Sequence, residues 1–240
     1  MPPSRSDRGF HPGLADDLAG AALALARWFT AGATLWCVAP RWEPHAQHIA
    51  LEFLHPVVAG TPALPAAALT GPALVDTARV SARAGDIVLA VAASDEAEVR
   101  SLVTRGPAWG VHTIWIGSGP HPGAVAADHL LWLDDPDPRI SSRGDFVLLY
   151  HVLWELTVRC FDHPALMRPE AESPSAATVH PDLGQLGEVV TPLGDGTARV
   201  RTATGTETVA TSFVEPVHVG DLVLVHAGMA VSAVGMEEQR

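Results

Sequence analysis

The first two thirds of the chain alternate between two hydrophobic periods. Residues 14–30 place apolar side chains at helical spacing, and Asp16 and Asp17 fall in the first turn, where carboxylates complement the helix dipole. Residues 33–39 (ATLWCVA) form a short apolar run between Gly32 and Pro40, the pattern of a buried strand. Helical spacing returns over 44–55. A short apolar piece follows at 66–70, then a helix over 73–84, a strand over 86–92 (DIVLAVA) and a helix over 96–105. Two more strands fall at 111–117 (VHTIWIG) and 129–133 (HLLWL), and a long amphipathic helix at 145–161. Strands alternating with helices at this spacing predict a parallel sheet with helices on both faces, an α/β domain.

The pattern changes after about residue 165. Residues 168–182 are rich in Pro, Ala, Ser and Glu and read as linker. Beyond them lie short β-type runs separated by glycine, at 187–192, 198–202, 207–210 and 221–225, with no long helical stretch. That predicts a second, all-β domain of OB-like barrel size. The expected organisation is a loose lead-in over 1–13, an α/β domain over 14–165, a linker over 166–184 and the barrel over 185–240.

Composition narrows the functional classes. Apolar residues make up 48% of the 240, enough for a core in each part. The formal charge is −12, and all 15 fixed side-chain cations are arginine. Such a chain repels phosphate backbones and anionic lipid, which argues against nucleic acid and membrane as partners. The two cysteines, Cys37 and Cys160, read as buried small hydrophobes of a reduced, cytoplasmic protein. The apolar stretch 18–26 is preceded by two aspartates and ended by Arg27. It is too short to span a bilayer and reads as part of a soluble helix.

The order of segments over residues 14–162 resembles sugar-isomerase (SIS) domains, the phosphoheptose isomerases in particular, and implies a flavodoxin-like three-layer fold. Residues 46–52 (AQHIALE) look like the helix that follows the family's first phosphate loop. In that family the loops after the first strand and the second clear strand are rich in Gly, Ser and Thr, and hold a sugar phosphate. Here they read APRWEP (39–44) and AASDEA (92–97). Ser94 remains as a residual phosphate-loop residue, while Asp95 and Glu96 bring negative charge to the same place. His48 and Glu52 lie four apart and share a helix face. His151 lies on the last helix, at the position the resemblance implies for the catalytic histidine. The resemblance makes His48, Glu52 and His151 a zinc site with an open position, and Glu52 and His151 acid–base groups if the domain is an enzyme. From the residues alone, His48 and Glu52 equally suit a surface pair, and His45 and His55 either extra ligands or solvated side chains. Arg143 stands where some relatives carry a further ligand, and cannot ligate.

The strongest signal is the run GEVVTPLGDGTARVRTATGTETVATSFVEPVHVGDLVLVHAGMAV over 187–231. It resembles the hydrogenase maturation chaperones of the HypC/HupF family. They share a first strand opening with Gly, a Gly-rich turn and a V-x-V-G-D…V-L-V-H-A-G block, here 217–228. The resemblance implies that His226 handles iron in transit to a nickel–iron centre, together with a cysteine near the first strand. No cysteine lies in 161–240. Asp182 holds its place, and His180 is nearby.

Together the two resemblances imply an accessory protein for nickel–iron hydrogenase assembly. Its partners would be other maturation proteins or the large-subunit precursor. The α/β domain, degenerate for isomerisation, would provide a homo-oligomeric platform or a ligand pocket. The alternative is a metal-dependent isomerase acting on an unphosphorylated or unusual sugar. A third reading is a pure binding scaffold.

Overall fold

The computed structural model of the protein describes residues 13–57, 60–122, 127–133, 144–163, 165–167 and 184–234. The expected lead-in apart from Gly13, almost all of the expected linker, and Arg143, His180 and Asp182 lie outside these residues. The described residues fall into two compact units. One lies within Met1–Ser81, Gly85–Thr104 and His112–Arg168, the other within Ala82–Ala84, Arg105–Val111 and Pro169–Arg240.

The first unit follows the alternating pattern: α1 (Leu14–Thr30), β1 (Leu35–Val38), α2 (Glu43–Leu54), β2 (Ala66–Leu69), α3 (Leu74–Ser81), β3 (Ile87–Ala93), α4 (Ala97–Trp109, whose residues from Arg105 on count with the second unit), β4 (His112–Ser118), β5 (His129–Leu133) and α5 (Asp145–Phe161). α4 extends beyond its predicted end at Arg105. Gly106 and Pro107 fall in its final turn, where Gly110 N–H donates to Pro107 O and Val111 N–H to Gly106 O. The helix therefore absorbs residues that a sequence reading takes as a stop.

The five strands are parallel, in the order β2-β1-β3-β4-β5. The β1–β2 connection steps one way along the sheet, and β2–β3 and β3–β4 step the other. Right-handed crossovers therefore put α2 on one face and α3 and α4 on the opposite face. The core agrees. Ile87, Leu89 and Val91 of β3 pack with residues of α1, α2 and α5. Val88, Ala90 and Ala92, pointing the other way, are buried too. The step direction reverses between β1 and β3, so the loops that follow them diverge at the carboxyl ends of the strands, where open α/β sheets place a ligand crevice. Gly117 in β4 leaves room for an indole. A Cβ there would lie 2.1 Å from the Trp132 ring and 2.8 Å from Ala92 O.

The second unit holds β6 (Gln185–Pro192), β7 (Thr197–Thr202), β8 (Gly205–Ala210), β9 (Leu222–His226) and β10 (Met229–Val234), closed as β10-β8-β7-β6-β9. Its core is built of small residues: Val189, Ala198, Val200, Val209, Val223, Val225 and Ala230. β10 went unread in the sequence because Ala230 is its one buried residue, so apolar and polar positions show no contrast along it. β6 begins two residues before Gly187, the expected start, and a Cβ at Gly187 would meet Val200 Cγ1 at 2.4 Å. Within this unit the buried Glu188 accepts hydrogen bonds from Arg105 Nη1 (2.6 Å) and Trp109 Nε1 (2.7 Å). Among the described residues no helix is long and apolar enough to cross a membrane.

Candidate functional site

α2 starts with Glu43 and Pro44; proline's fixed φ suits the first helical turn. Its buried residues Ala46, Ile49, Ala50 and Phe53 recur at helical spacing and face the sheet. That orientation leaves His45, His48 and Glu52 on an adjoining side. α5 buries Phe146, Leu149, Tyr150, Leu153, Trp154 and Thr157, which leaves His151 at the edge of its buried face. α2 and α5 touch, and the two edges meet.

There His48 Nε2 lies 3.2 Å from Glu52 Oε1, and His151 Nε2 lies 3.4 Å from the same oxygen. The side chains are partly open to water, at 39% for His48, 19% for Glu52 and 38% for His151. Behind them, His151 Nδ1 is 2.6 Å from Val147 O, and His48 Nδ1 is 3.1 Å from Tyr150 Oη. Tyr150 Oη also lies 3.4 Å from His45 Nδ1. Burial, together with the nearby Glu52 charge, pushes the Tyr150 phenol up to about 12, so it stays protonated across the physiological range.

The donor set can be tested for a metal. A carbonyl only accepts, so His151 carries a proton on Nδ1 and, when neutral, a lone pair on Nε2. That lone pair faces a carboxylate oxygen, an arrangement that favours a proton or a metal ion between them. Tetrahedral zinc with bonds of about 2.0–2.1 Å would separate neighbouring ligand atoms by about 3.3 Å. The two measured spacings, 3.2 and 3.4 Å, match that edge. Among the described residues, His48, Glu52 and His151 form the one group of three ligand-capable side chains. The residues fit the ion.

The crevice loops differ from the sequence expectation in one respect. The charge of Asp95 and Glu96 is partly offset: Arg41, from the loop after β1, reaches Glu96 at 2.7 Å and Asp95 at 3.4 Å. Glu43 at the start of α2 accepts from Gly71 N–H (3.1 Å). The chain's own side chains thus occupy groups that could hold a ligand's phosphate. Ser94 sits at the end of β3, its N–H donating to Ser118 O. Of the two histidines read as extra ligands or solvated side chains, His55 is exposed and His45 is half-buried against Tyr150. Sequence reasoning missed Tyr150 and the role of His45. The available signal was His45 three residues before His48 on one helix. Nothing local says that Tyr150 lies beside both.

In the barrel, the 217–228 block resolves into turn, strand and turn. His218 N–H donates to Asp221 Oδ2 (2.7 Å), and Gly220 takes a φ of 90° that a Cβ would oppose. His226 ends β9 and pairs with Met229, so Ala227 and Gly228 are a two-residue hairpin turn, with φ of 49° and 75°. Both turns explain their own residues. Neither explains His226, which is half-buried and, among the described residues, joins no group of three ligand-capable side chains.

Comparison with known proteins divides the chain in the same way. Residues 183–240 match the family model described as the HupF/HypC family. No curated protein matches the chain. A phosphoheptose isomerase from Francisella tularensis superposes with a TM-score of 0.52 at 18% identity, covering 63% of this chain and 87% of that one. A phosphoheptose isomerase from Neisseria gonorrhoeae gives 0.51 at 19%, covering 62% and 86%. At such identities the likeness is one of fold. Residues 183–240 thus match the HupF/HypC family model, and the α/β unit that precedes them in sequence has the fold of the phosphoheptose isomerases.

Proposed function

We propose that the chain is an accessory protein of nickel–iron hydrogenase assembly, working in the cytoplasm. Its barrel domain engages another maturation protein or the large-subunit precursor. The α/β domain serves oligomerisation and binds a ligand or a metal ion. The observation that carries this reading is the HupF/HypC match over residues 183–240. Iron, if the barrel handles it, is cargo at His226. The test is co-purification of the tagged chain with the hydrogenase large-subunit precursor, alongside hydrogenase activity in a deletion strain. A stable complex and lost activity are expected. A deletion strain with full hydrogenase activity and no complex would sink the proposal.

One observation favours a second reading for the α/β domain, a metal-dependent isomerase. It is the convergence of His48, Glu52 and His151. These three would hold a zinc ion, which supplies Lewis acidity to a bound hydroxyl or carbonyl. His151 keeps its proton on Nδ1 through Val147 O and presents Nε2. Glu52 and His151 are the groups placed to move a proton. Arg41 is occupied by Asp95 and Glu96, and the three groups together keep a net charge of −1, which suits an uncharged sugar-like substrate better than a phosphate ester. Zinc content of the purified chain, compared with that of His48→Ala, tests the site.

A further inference from the structure

The Tyr150 hydroxyl stands between two imidazole nitrogens, His48 Nδ1 at 3.1 Å and His45 Nδ1 at 3.4 Å. A phenol has one proton to donate and can also accept. Two consistent polarities follow. In one, Tyr150 donates to His48 Nδ1 and accepts from His45 Nδ1–H, and His48 Nε2–H donates to Glu52. In the other, His48 Nδ1–H donates to Tyr150, Tyr150 donates to His45, and His48 presents a bare Nε2. Both keep three protons on the chain of three groups. Only the second makes His48 a metal ligand. His151 needs no such choice, because Val147 O fixes its tautomer.

We infer that Tyr150 is a positioning residue for His48, with His45 as its second partner, and that its hydroxyl allows His48 to exchange one tautomer for the other while Nδ1 keeps its hydrogen bond, Nε2 giving up its bond to Glu52 for a lone pair. The inference about metal affinity rests on the zinc reading above. The ring contacts support the positioning role. Tyr150 meets His48 edge-on at 5.3 Å, His45 edge-on at 5.8 Å and stacks on His151 at 5.1 Å, so one buried side chain sets all three imidazoles.

The experiment compares wild type with Tyr150→Phe, the fold being checked by circular dichroism. In metal-free protein, the ¹⁵N resonance of His48 Nδ1 is expected to move in the variant, because its hydrogen-bond partner is gone. An unmoved resonance overturns the inference whether or not zinc binds. Chelator-competition titration with zinc is then expected to show affinity reduced by about 10- to 100-fold in Tyr150→Phe, as for other lost partners of metal-binding histidines. Cobalt(II) in place of zinc should show a shifted visible absorption. Equal affinity and an unchanged cobalt spectrum overturn the positioning role while leaving the zinc site standing. Wild type that binds neither metal removes the zinc reading, and the His48 resonance still decides whether Tyr150 sets that ring.

Discussion

Glu188 and Glu52 are both carboxylates drawn away from bulk water, and each meets nitrogen atoms at hydrogen-bonding distance. Glu188, 2% exposed, accepts from a guanidinium at 2.6 Å and an indole N–H at 2.7 Å. Guanidinium and indole nitrogens can only donate, so these two bonds have one direction. Glu52 meets two imidazole nitrogens, and at least one of them, on His151, is a lone pair when the ring is neutral. The first arrangement spends its hydrogen bonds on holding the barrel unit together. The second withholds one, and it is the second that can accept a ligand. Stability and binding are thus assigned to different carboxylates, as expected where a site must keep an unfilled position.

The largest test of that contrast is a pair of substitutions. Glu188→Ala leaves Arg105 without its buried carboxylate and should cost about 3–5 kcal/mol in urea denaturation, with zinc affinity unchanged. Glu52→Ala should abolish zinc binding while leaving the metal-free chain as stable as wild type or more so. Equal destabilisation by both would erase the distinction. Next in size are the close-packed glycines, one in each unit. Gly117→Ala drives a methyl into Trp132, and Gly187→Ala into Val200. Each should cost about 1–3 kcal/mol, and a tolerated Gly117→Ala would mean that the Trp132 ring can swing away. A smaller change of opposite sign is expected at the turn after His226. Ala227 holds a φ of 49°, so Ala227→Gly should raise stability by about 0.5–1 kcal/mol without altering any metal binding.

The smallest effect is a slope with pH, and it sharpens the comparison by belonging to the α/β unit alone. His112 stacks on Trp28 and His129 meets the same ring edge-on. Burial lowers both below the ordinary 6.5, with Asp128 opposing the shift at each, Asp17 opposing it at His129, and His112 adding to the fall at His129. As pH falls through 6.5 the unfolded chain therefore takes up protons first. Stability is full above that pH and declines below it, down to the lower folded-state values. Thermal melts between pH 8 and 5 should show the decline, and a His112→Gln, His129→Gln double variant should flatten it.

Much of the fold was legible because burial imposes a period. α1, β5 and α5 fall where the hydrophobic pattern puts them, and the parallel sheet follows from the alternation of elements. β10 was not legible, because a strand with one inward residue carries no period. The barrel's turns were readable as a motif, since Gly220 and Gly228 are required by local backbone angles, and Gly187 by the closeness of Val200. His48 and Glu52 were readable as a pair, because four residues along a helix always share a face.

What joined that pair to the rest lies beyond any local rule. The sequence alone determined which residues carry ligand chemistry, where the helices and strands of the α/β unit lie to within a few residues, and that the chain changes character near residue 165. The tertiary structure alone decided that His151 arrives 3.4 Å from Glu52, that Tyr150 stands between His45 and His48, and that Arg41 answers Asp95 and Glu96. The physical reason is range. Periodicity and turn chemistry act over a few residues, whereas these contacts span from 54 to 105 positions and exist only once α2 and α5, or the loops after β1 and β3, are brought together by the sheet.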